Sequence, residues 1–370
     1  MSARFLTAVS GRAFNMRDRF GREIDYMRIS VIDSCNLNCY YCNPCDNNEH
    51  CHALNILSVK EVLCIVRAAT RLGIKHFRLT GGEPLLHPQL DEMVLQIKKI
   101  PGVSSVSLTT NAVLLAQHAK WLKEAGIDSI NVSLDTIDAS EYERITKKPL
   151  LEEVKHGINA AIECGIRVKI NVVLTPQTDV VALTRYVAKK GTDIRFIEMM
   201  PVGEGHTNGV EPYKKVIGTL SKLYGEPCRI NTEKTKEINS GNDKRKIPDN
   251  GPAEYYIFPE LGIRVGLIQA IHGKFCDTCN RIRVTADGRL MPCLGSSVTM
   301  DLVPDSWDFA DDVEKDFAIV RALRAAIKAK PRCHNFNDNA VTYTKTTETK
   351  TTEIEAAEVN AARNMSRIGG

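Results

Sequence analysis

From Tyr26 to Met200 short β-rich runs alternate with stretches of amphipathic helical pattern. "YMRISVID", "HFRLTGG", "VSSVSLTTN", "SINVSLD", "RVKINVVL" and "DIRFIEMM" read as six strands, rich in Val, Ile and Phe. Between them, Ser58–Leu72, Pro88–Ile100, Ala112–Ala125 and Leu151–Cys164 place apolar residues at helical spacing. Ser58 with Glu61 three positions later has the form of a capping box. Gly73, Gly126 and Gly165 each stand just before the next strand, where a left-handed residue ends a helix.

Repeated strand–helix units imply a parallel sheet covered by helices. Six of them predict an α/β fold, a partial (open) six-stranded barrel of the TIM type, with chemistry at the C-terminal strand ends. After Pro201 the rhythm breaks. "NTEKTKEINSGNDKRKIPDNG" reads as a loop or linker, and "EYYIF", "GIRVGLI" and "RIRVTADGRLMPC" as shorter strands. Ala286–Gly288 is a hairpin turn on this reading, Val313–Lys328 a helix, and Thr342–Glu353 a low-complexity stretch. The expected division is an arm over 1–20, the barrel over 21–235, a C-terminal region over 236–335 that closes it, and a tail over 336–370.

Composition narrows the classes. The 370 residues are 43% apolar and 25% charged, an ordinary globular balance. A net charge of +4 is too small to argue for nucleic acid, though a few cations can still converge on a phosphate. No run of about eighteen apolar residues is present, so no membrane span is expected. The N-terminus lacks the apolar core of a secretory signal and reads as a short arm. The twelve cysteines then fit a reducing cytoplasm, where clustered thiols bind metal more often than they form disulfides.

Five of those cysteines lie in "CNLNCYYCNPCDNNEHC". Cys35, Cys39 and Cys42 form C-x3-C-x2-C directly after a strand, a set able to hold a [4Fe–4S] cluster with one iron open. Structural zinc would need a fourth ligand, which Cys45 or Cys51 could supply. Cys276, Cys279 and Cys293 repeat the problem as C-x2-C-x13-C, with Cys333 or His272 able to complete zinc. Spacing alone leaves both alternatives open.

With Tyr41 before the third cysteine and Gly81-Gly82-Glu83-Pro84 at the end of the second strand, the chain resembles the radical S-adenosylmethionine (SAM) enzymes. The resemblance implies that the open iron at Cys35, Cys39 and Cys42 binds the amino and carboxylate groups of SAM. An electron then cleaves SAM to methionine and a 5′-deoxyadenosyl radical. Gly81, Gly82 and Glu83 fall at the methionine amino group, and Thr109, Ser133 and Met200 near the methionine, ribose or adenine.

The stretches "RDRFGREIDYMRIS", "RFIEMMPVG", "NGPAEYY", "FCDTCNRIRVTADGRLMPCL" and the terminal "MSRIGG" are more narrowly similar to the GTP 3′,8-cyclase family of molybdenum-cofactor biosynthesis. That resemblance implies two [4Fe–4S] clusters, the second on Cys276, Cys279 and Cys293 and touching guanine. It implies a triphosphate held by Arg28, Arg78, Lys169, Arg195, Arg281 and Arg283, with the last two and the Gly369–Gly370 tail supporting catalysis. The implied reaction removes the ribose 3′ hydrogen of GTP and joins C3′ to C8. Reduction and protonation, involving the Cys276 cluster and nearby arginines, then give 3′,8-cyclo-7,8-dihydro-GTP. An external electron donor and cyclic pyranopterin monophosphate synthase downstream are the implied partners, and a homodimer is compatible with it.

The chain also departs from the family pattern. Asn38 and Asn43 stand for a common Arg and Met, His76 for a lysine, and Ala112 for the glycine of "TTNG". Competing readings are another radical SAM enzyme with an auxiliary cluster, acting for example on a peptide, and a non-catalytic zinc-stabilised binding protein. The "NRIRVT" arginines and the Gly-Gly end count against the first. The second leaves Gly81–Pro84 unexplained.

Overall fold

All six expected strands form, in a computed structural model that describes residues 16–42, 55–202, 209–230, 251–296, 298–302, 312–334 and 336. Cys45, Cys51, Asn43, most of the Lys/Asn/Gly-rich stretch, Thr342–Glu353 and Gly369–Gly370 lie outside the described residues. In chain order the first half runs β1 (Tyr26–Ser30), α1 (Val59–Arg71), β2 (His76–Thr80), α2 (Leu90–Lys98), β3 (Ser105–Thr110), α3 (Leu115–Glu124), β4 (Ser129–Ser133), α4 (Ala139–Thr146), α5 (Leu151–Glu163), β5 (Val168–Val173), α6 (Val180–Lys189) and β6 (Asp193–Ile197). The second half adds α7 (Gly218–Tyr224), β7 (Cys228–Ile230), β8 (Glu254–Ile257), β9 (Arg264–Ile268), β10 (Arg281–Val284), β11 (Arg289–Met291), β12 (Met300–Asp301) and α8 (Asp312–Ala329).

Local signals set the helix ends. The Ser58 hydroxyl accepts from the Glu61 amide while the Glu61 carboxylate accepts from the Ser58 amide at 2.7 Å, closing the capping box. Gly126 ends α3 at φ +87°, in the left-handed region where a side chain is disfavoured.

The strands form one 12-stranded sheet in the order β12-β11-β10-β1-β2-β3-β4-β5-β6-β9-β8-β7. From β10 to β9 every neighbouring pair is parallel. The sheet is open: β12 and β7 are its ends among the described residues. The C-terminal region therefore enters the sheet at both edges of the first six strands, β10 beside β1 and β9 beside β6.

Alternation decides which face is core. Met27, Ile29, Phe77, Leu79, Val106, Leu108, Ile130, Val132, Ile194 and Phe196 are fully buried beneath the helices. Each such side chain stabilises the fold by roughly 1.5–3 kcal/mol. The intervening residues Arg28, Arg78, Ser107, Asn131 and Lys169 face the other way and line an interior cavity. A TIM-type barrel ordinarily fills that space with branched apolar side chains. Here it is polar. Among the described residues no helix is long and apolar enough to cross a membrane.

Candidate active site

A cavity of about 640 Å³ runs through the interior and is lined by both cysteine triads together. Its floor is cationic by register. Arg283 on β10, Arg28 on β1 and Arg78 on β2 are successive partners across the sheet. Lys169 on β5 pairs with Asn131 on β4, and Arg195 on β6 with Asn171 on β5. Burial, and then the nearby Arg283, hold Arg28 well below the usual guanidinium range. Burial, with Arg281 beside it, brings Arg283 to about 10. Like charges packed this closely out of water disfavour one another, and a polyanion entering the cavity relieves that cost.

Individual cations are held in place. Arg78 donates through Nε to the Tyr26 hydroxyl and through Nη1 to the Leu108 carbonyl at 3.0 Å. Arg195 donates to the Tyr255 hydroxyl. Lys169 is only 5% exposed.

The first triad hangs from the end of β1, and the end of β2 presses against it. The amide of Gly82 donates to the Ile32 carbonyl and that of Glu83 to the Ser34 carbonyl, both at 2.8 Å. A Cβ on Gly81 would lie 2.3 Å from the Ile32 oxygen, and one on Gly82 2.1 Å from the Ser34 oxygen. Only glycine permits that approach. The Glu83 carboxylate turns away from the cavity and accepts from Leu85 N, Thr110 Oγ1 and Asn111 N. Asn111 in turn donates to Asn36 Oδ1 at 2.7 Å and reaches Cys35 Sγ at 3.9 Å. Glu83 thus braces the cysteine loop through the end of β3. Tyr41 donates to Asp135, which also accepts from the Val173 amide.

Burial pushes the Cys35 thiol up to about 11 and raises Cys39 further, where Cys42 and Asp135 add to the effect. Thiols set so close that their ionised forms repel call for a cationic partner, and iron supplies one. At the second triad burial also opposes ionisation, but Arg281 and Lys330 outweigh it and bring Cys279 down to about 6. Lys330 is fixed by the carbonyls of Arg281 and Pro292 at 2.8 and 2.9 Å. Among the described residues no three His, Cys, Asp or Glu side chains gather as ligands of a single ion. Three thiols on one cavity wall suit a polynuclear cluster, whose irons each take one protein sulfur. Of the zinc alternatives, Cys333 lines the cavity, whereas His272 is engaged through Nδ1 by the buried Glu198.

The radical SAM superfamily matches residues 29–182, and the Molybdenum Cofactor Synthesis C family matches residues 192–336. A GTP 3′,8-cyclase of Clostridium perfringens (strain SM101 / Type A) is 35% identical over 87% of this chain and 95% of its own length. One from Petrotoga mobilis is 35% identical over 88% and 96%, and one from Listeria monocytogenes 36% identical over 86% and 92%. The chain belongs to the GTP 3′,8-cyclase family. Among solved structures, Streptococcus suis SuiB has the same fold with a TM-score of 0.54 at 16% identity, over 81% of this chain and 65% of SuiB.

As a member of the GTP 3′,8-cyclase family the protein is an enzyme of the radical SAM type, classed as a lyase, with SAM and [4Fe–4S] clusters as cofactors. Of the residues singled out for that chemistry, all six cysteines, Tyr41, Gly81, Gly82, Thr109, Ser133, Met200 and the six cations line the one cavity. Glu83 does not, and the Gly369–Gly370 tail lies outside the described residues. Other lining residues escape motif reading: Tyr26, Asn131, Asp135, Asn171 and Glu198. The amide oxygens of Asn131 and Asn171 are buried without a partner among the described residues. Their signal was the polar half of the strand alternation.

Proposed function

We propose that this chain catalyses the reaction its relatives are named for, in the cavity that both triads line. SAM would be cleaved at the first triad, and the 5′-deoxyadenosyl radical would take H3′ of GTP, leaving as 5′-deoxyadenosine. The C3′ radical would bond to C8, and one further electron and a proton would reduce the resulting guanine-centred radical to 3′,8-cyclo-7,8-dihydro-GTP. The observation that carries the assignment is the meeting of two open-ended thiol triads with buried guanidinium groups in one space. Cys35, Cys39 and Cys42 would hold one cluster, and Cys276, Cys279 and Cys293 the other. When bound, the first cluster supplies the electron that converts SAM to methionine and a 5′-deoxyadenosyl radical.

The protein's own contribution is position and exclusion of water. Gly81 and Gly82 let β2 clamp the first cysteine loop, and Glu83 holds Asn111 beneath it. Tyr41, fixed by Asp135, walls the SAM side with Thr109, Ser133 and Met200. Arg28, Arg78, Lys169 and Arg195 take the triphosphate, and Arg281 and Arg283 the part of the nucleotide beside the second triad. Gly369–Gly370 reaching the site belongs to the same proposal, as do an external electron donor, a cytoplasmic setting and use of the product by cyclic pyranopterin monophosphate synthase. The proposed division keeps residues 21–235 as the barrel and 236–335 as the second-cluster region.

The test is anaerobic reconstitution followed by dithionite, SAM and each nucleoside triphosphate in turn. Two clusters require about eight irons per chain. With GTP, 5′-deoxyadenosine should form well above its rate with the other nucleotides. A fully iron-loaded enzyme that shows no such response to GTP refutes the assignment. Cys42→Ala should abolish the reaction and Cys45→Ala leave it intact.

A further inference from the structure

His76 opens β2 and lines the cavity in the row next to the cationic floor. In that row Arg281, Tyr26, His76 and Ser105 are successive partners across β10, β1, β2 and β3. The adjoining row holds Arg283, Arg28, Arg78 and Ser107. The imidazole lies on the Tyr26 ring, centroids 6.5 Å apart and 30° between planes, and its Nδ1 meets Ser105 Oγ at 2.8 Å. Nε2 makes no hydrogen bond among the described residues, and the side chain is only half-buried. A hydroxyl both donates and accepts, so Ser105 keeps its bond to Nδ1 whether or not the ring gains a proton. The ring can therefore become cationic in place.

We infer that His76 is a proton-dependent phosphate ligand, which ties the affinity for GTP to pH. The inference rests on the reading that the arginine floor holds a triphosphate. The charged and titratable groups acting on the ring are Asp25 and Tyr26 from β1 and its lead-in, Lys75 on its own segment, and Asp128 ahead of β4, with Arg78 lining the same cavity one row on. Asp128 is held by Lys98 at 2.9 Å and by the Val106 amide, and Asp25 accepts from Asn280 at 2.7 Å. Both acids are thus partly spent. Burial keeps the imidazole below its ordinary value and so favours the neutral ring while the cavity is empty. A phosphate beside Nε2 raises its affinity for a proton, and by linkage each GTP bound then takes up a proton. The sign follows: the extra affinity is complete below the free imidazole's pKa and is lost as pH rises through the bound value.

The experiment is equilibrium dialysis of labelled GTP against the anaerobic, iron-loaded enzyme from pH 6 to 8.5. Wild type, His76→Lys and His76→Gln are compared, with guanosine as the phosphate-free probe. The γ-phosphate itself titrates near pH 6 for all three proteins, so the difference between them is the readout. In the wild type, Kd for GTP should rise about tenfold more across this range than in His76→Lys, which keeps its charge throughout. His76→Gln should bind weakly at pH 6 and match the wild type at pH 8.5, and guanosine should show no difference among the three. A glutamine variant with the wild-type profile, or a lysine variant that binds GTP no better than wild type at pH 8.5, overturns the inference. Wild-type enzyme that does not bind GTP at any pH overturns the triphosphate reading itself.

Discussion

The guanidinium of Arg22 donates to the carbonyl of Cys276 at 2.7 Å, across 254 positions of chain. The same side chain donates to the carbonyls of Arg332 at 3.0 Å and Pro331 at 2.6 Å, and pairs through Nε with the fully buried Asp18. One fork thus joins the N-terminal segment, the second triad and the chain leaving α8. Arg22→Ala strands a buried carboxylate and three carbonyls, at a cost of about 3–5 kcal/mol. The melting temperature should fall sharply, and electron paramagnetic resonance should show the second cluster lost before the first. Arg22→Lys restores the charge without the fork and should recover less than half of the loss.

Ala112 occupies φ +65°, the left-handed region, while fully buried. Its side chain costs roughly 1–2 kcal/mol there. Glycine relieves that strain but adds freedom to the unfolded chain, worth about 0.4–1 kcal/mol in the other direction. The buried methyl group is lost as well, about 0.8 kcal/mol, so Ala112→Gly should leave stability within about 1 kcal/mol of wild type in urea unfolding. Gly157 of α5 admits no reverse exchange, since a Cβ there would lie 2.4 Å from the Ala112 carbonyl oxygen.

Burial lifts Glu83 from 4.5 to about 7, outweighing three donated hydrogen bonds. Because the folded value is the higher one, this contribution is complete below about pH 4.5 and is lost as pH rises through 7. The shift amounts to about 3 kcal/mol. Glu83→Gln should remove that slope from the pH dependence of unfolding free energy. It also turns an amide donor toward a donor among Thr110, Leu85 and Asn111, costing about 1–3 kcal/mol. A slope unchanged in the variant would assign the titration to another group.

Most strands, the first capping box and both triads are legible because each is a local pattern of period, cap or spacing. α6 is hidden by its own start: "VVAL" is a β-branched run, and the helix is set by Asp179, whose side chain accepts from the Ala182 amide. α4 is two turns long inside a connection and carries too few apolar positions to stand out. The pairing of β10 with β1 and of β9 with β6 leaves no local trace, since parallel partners meet through distant backbone. The polar interior, by contrast, was present in "YMRIS" and "HFRLT", where alternate residues are too hydrophilic for a strand covered on both faces. The bracing by Glu83 depends on β3 and could not be read from the glycine motif.

Tyr26 and Arg78 offer a check on the phosphate floor. Tyr26→Phe keeps the ring but removes the acceptor that aims Arg78. KM for GTP should rise about three- to tenfold with kcat within about twofold. Arg78→Ala should raise KM about 10–100-fold. A normal KM in both variants would remove Arg78 from the substrate site.

Gly82→Ala drives a methyl group to 2.1 Å from the Ser34 oxygen and 2.6 Å from the Asp33 oxygen. The backbone leading into Cys35 must move. Iron analysis should then return about half the wild-type content, with the second cluster intact. Full iron would show the loop to be more yielding than its packing suggests.

The placement of β9 and β10 sets an order on the birth of the molecule. When the ribosome has made residues up to Ile197, six parallel strands exist with two bare edges, and the strands that cover them are still unmade. β1 waits for a partner that begins at Arg281. The nascent first half carries unpaired strand edges through much of its synthesis, the condition under which chaperones are most needed. A gene cut after β6 should yield two insoluble fragments that recover solubility only when made together.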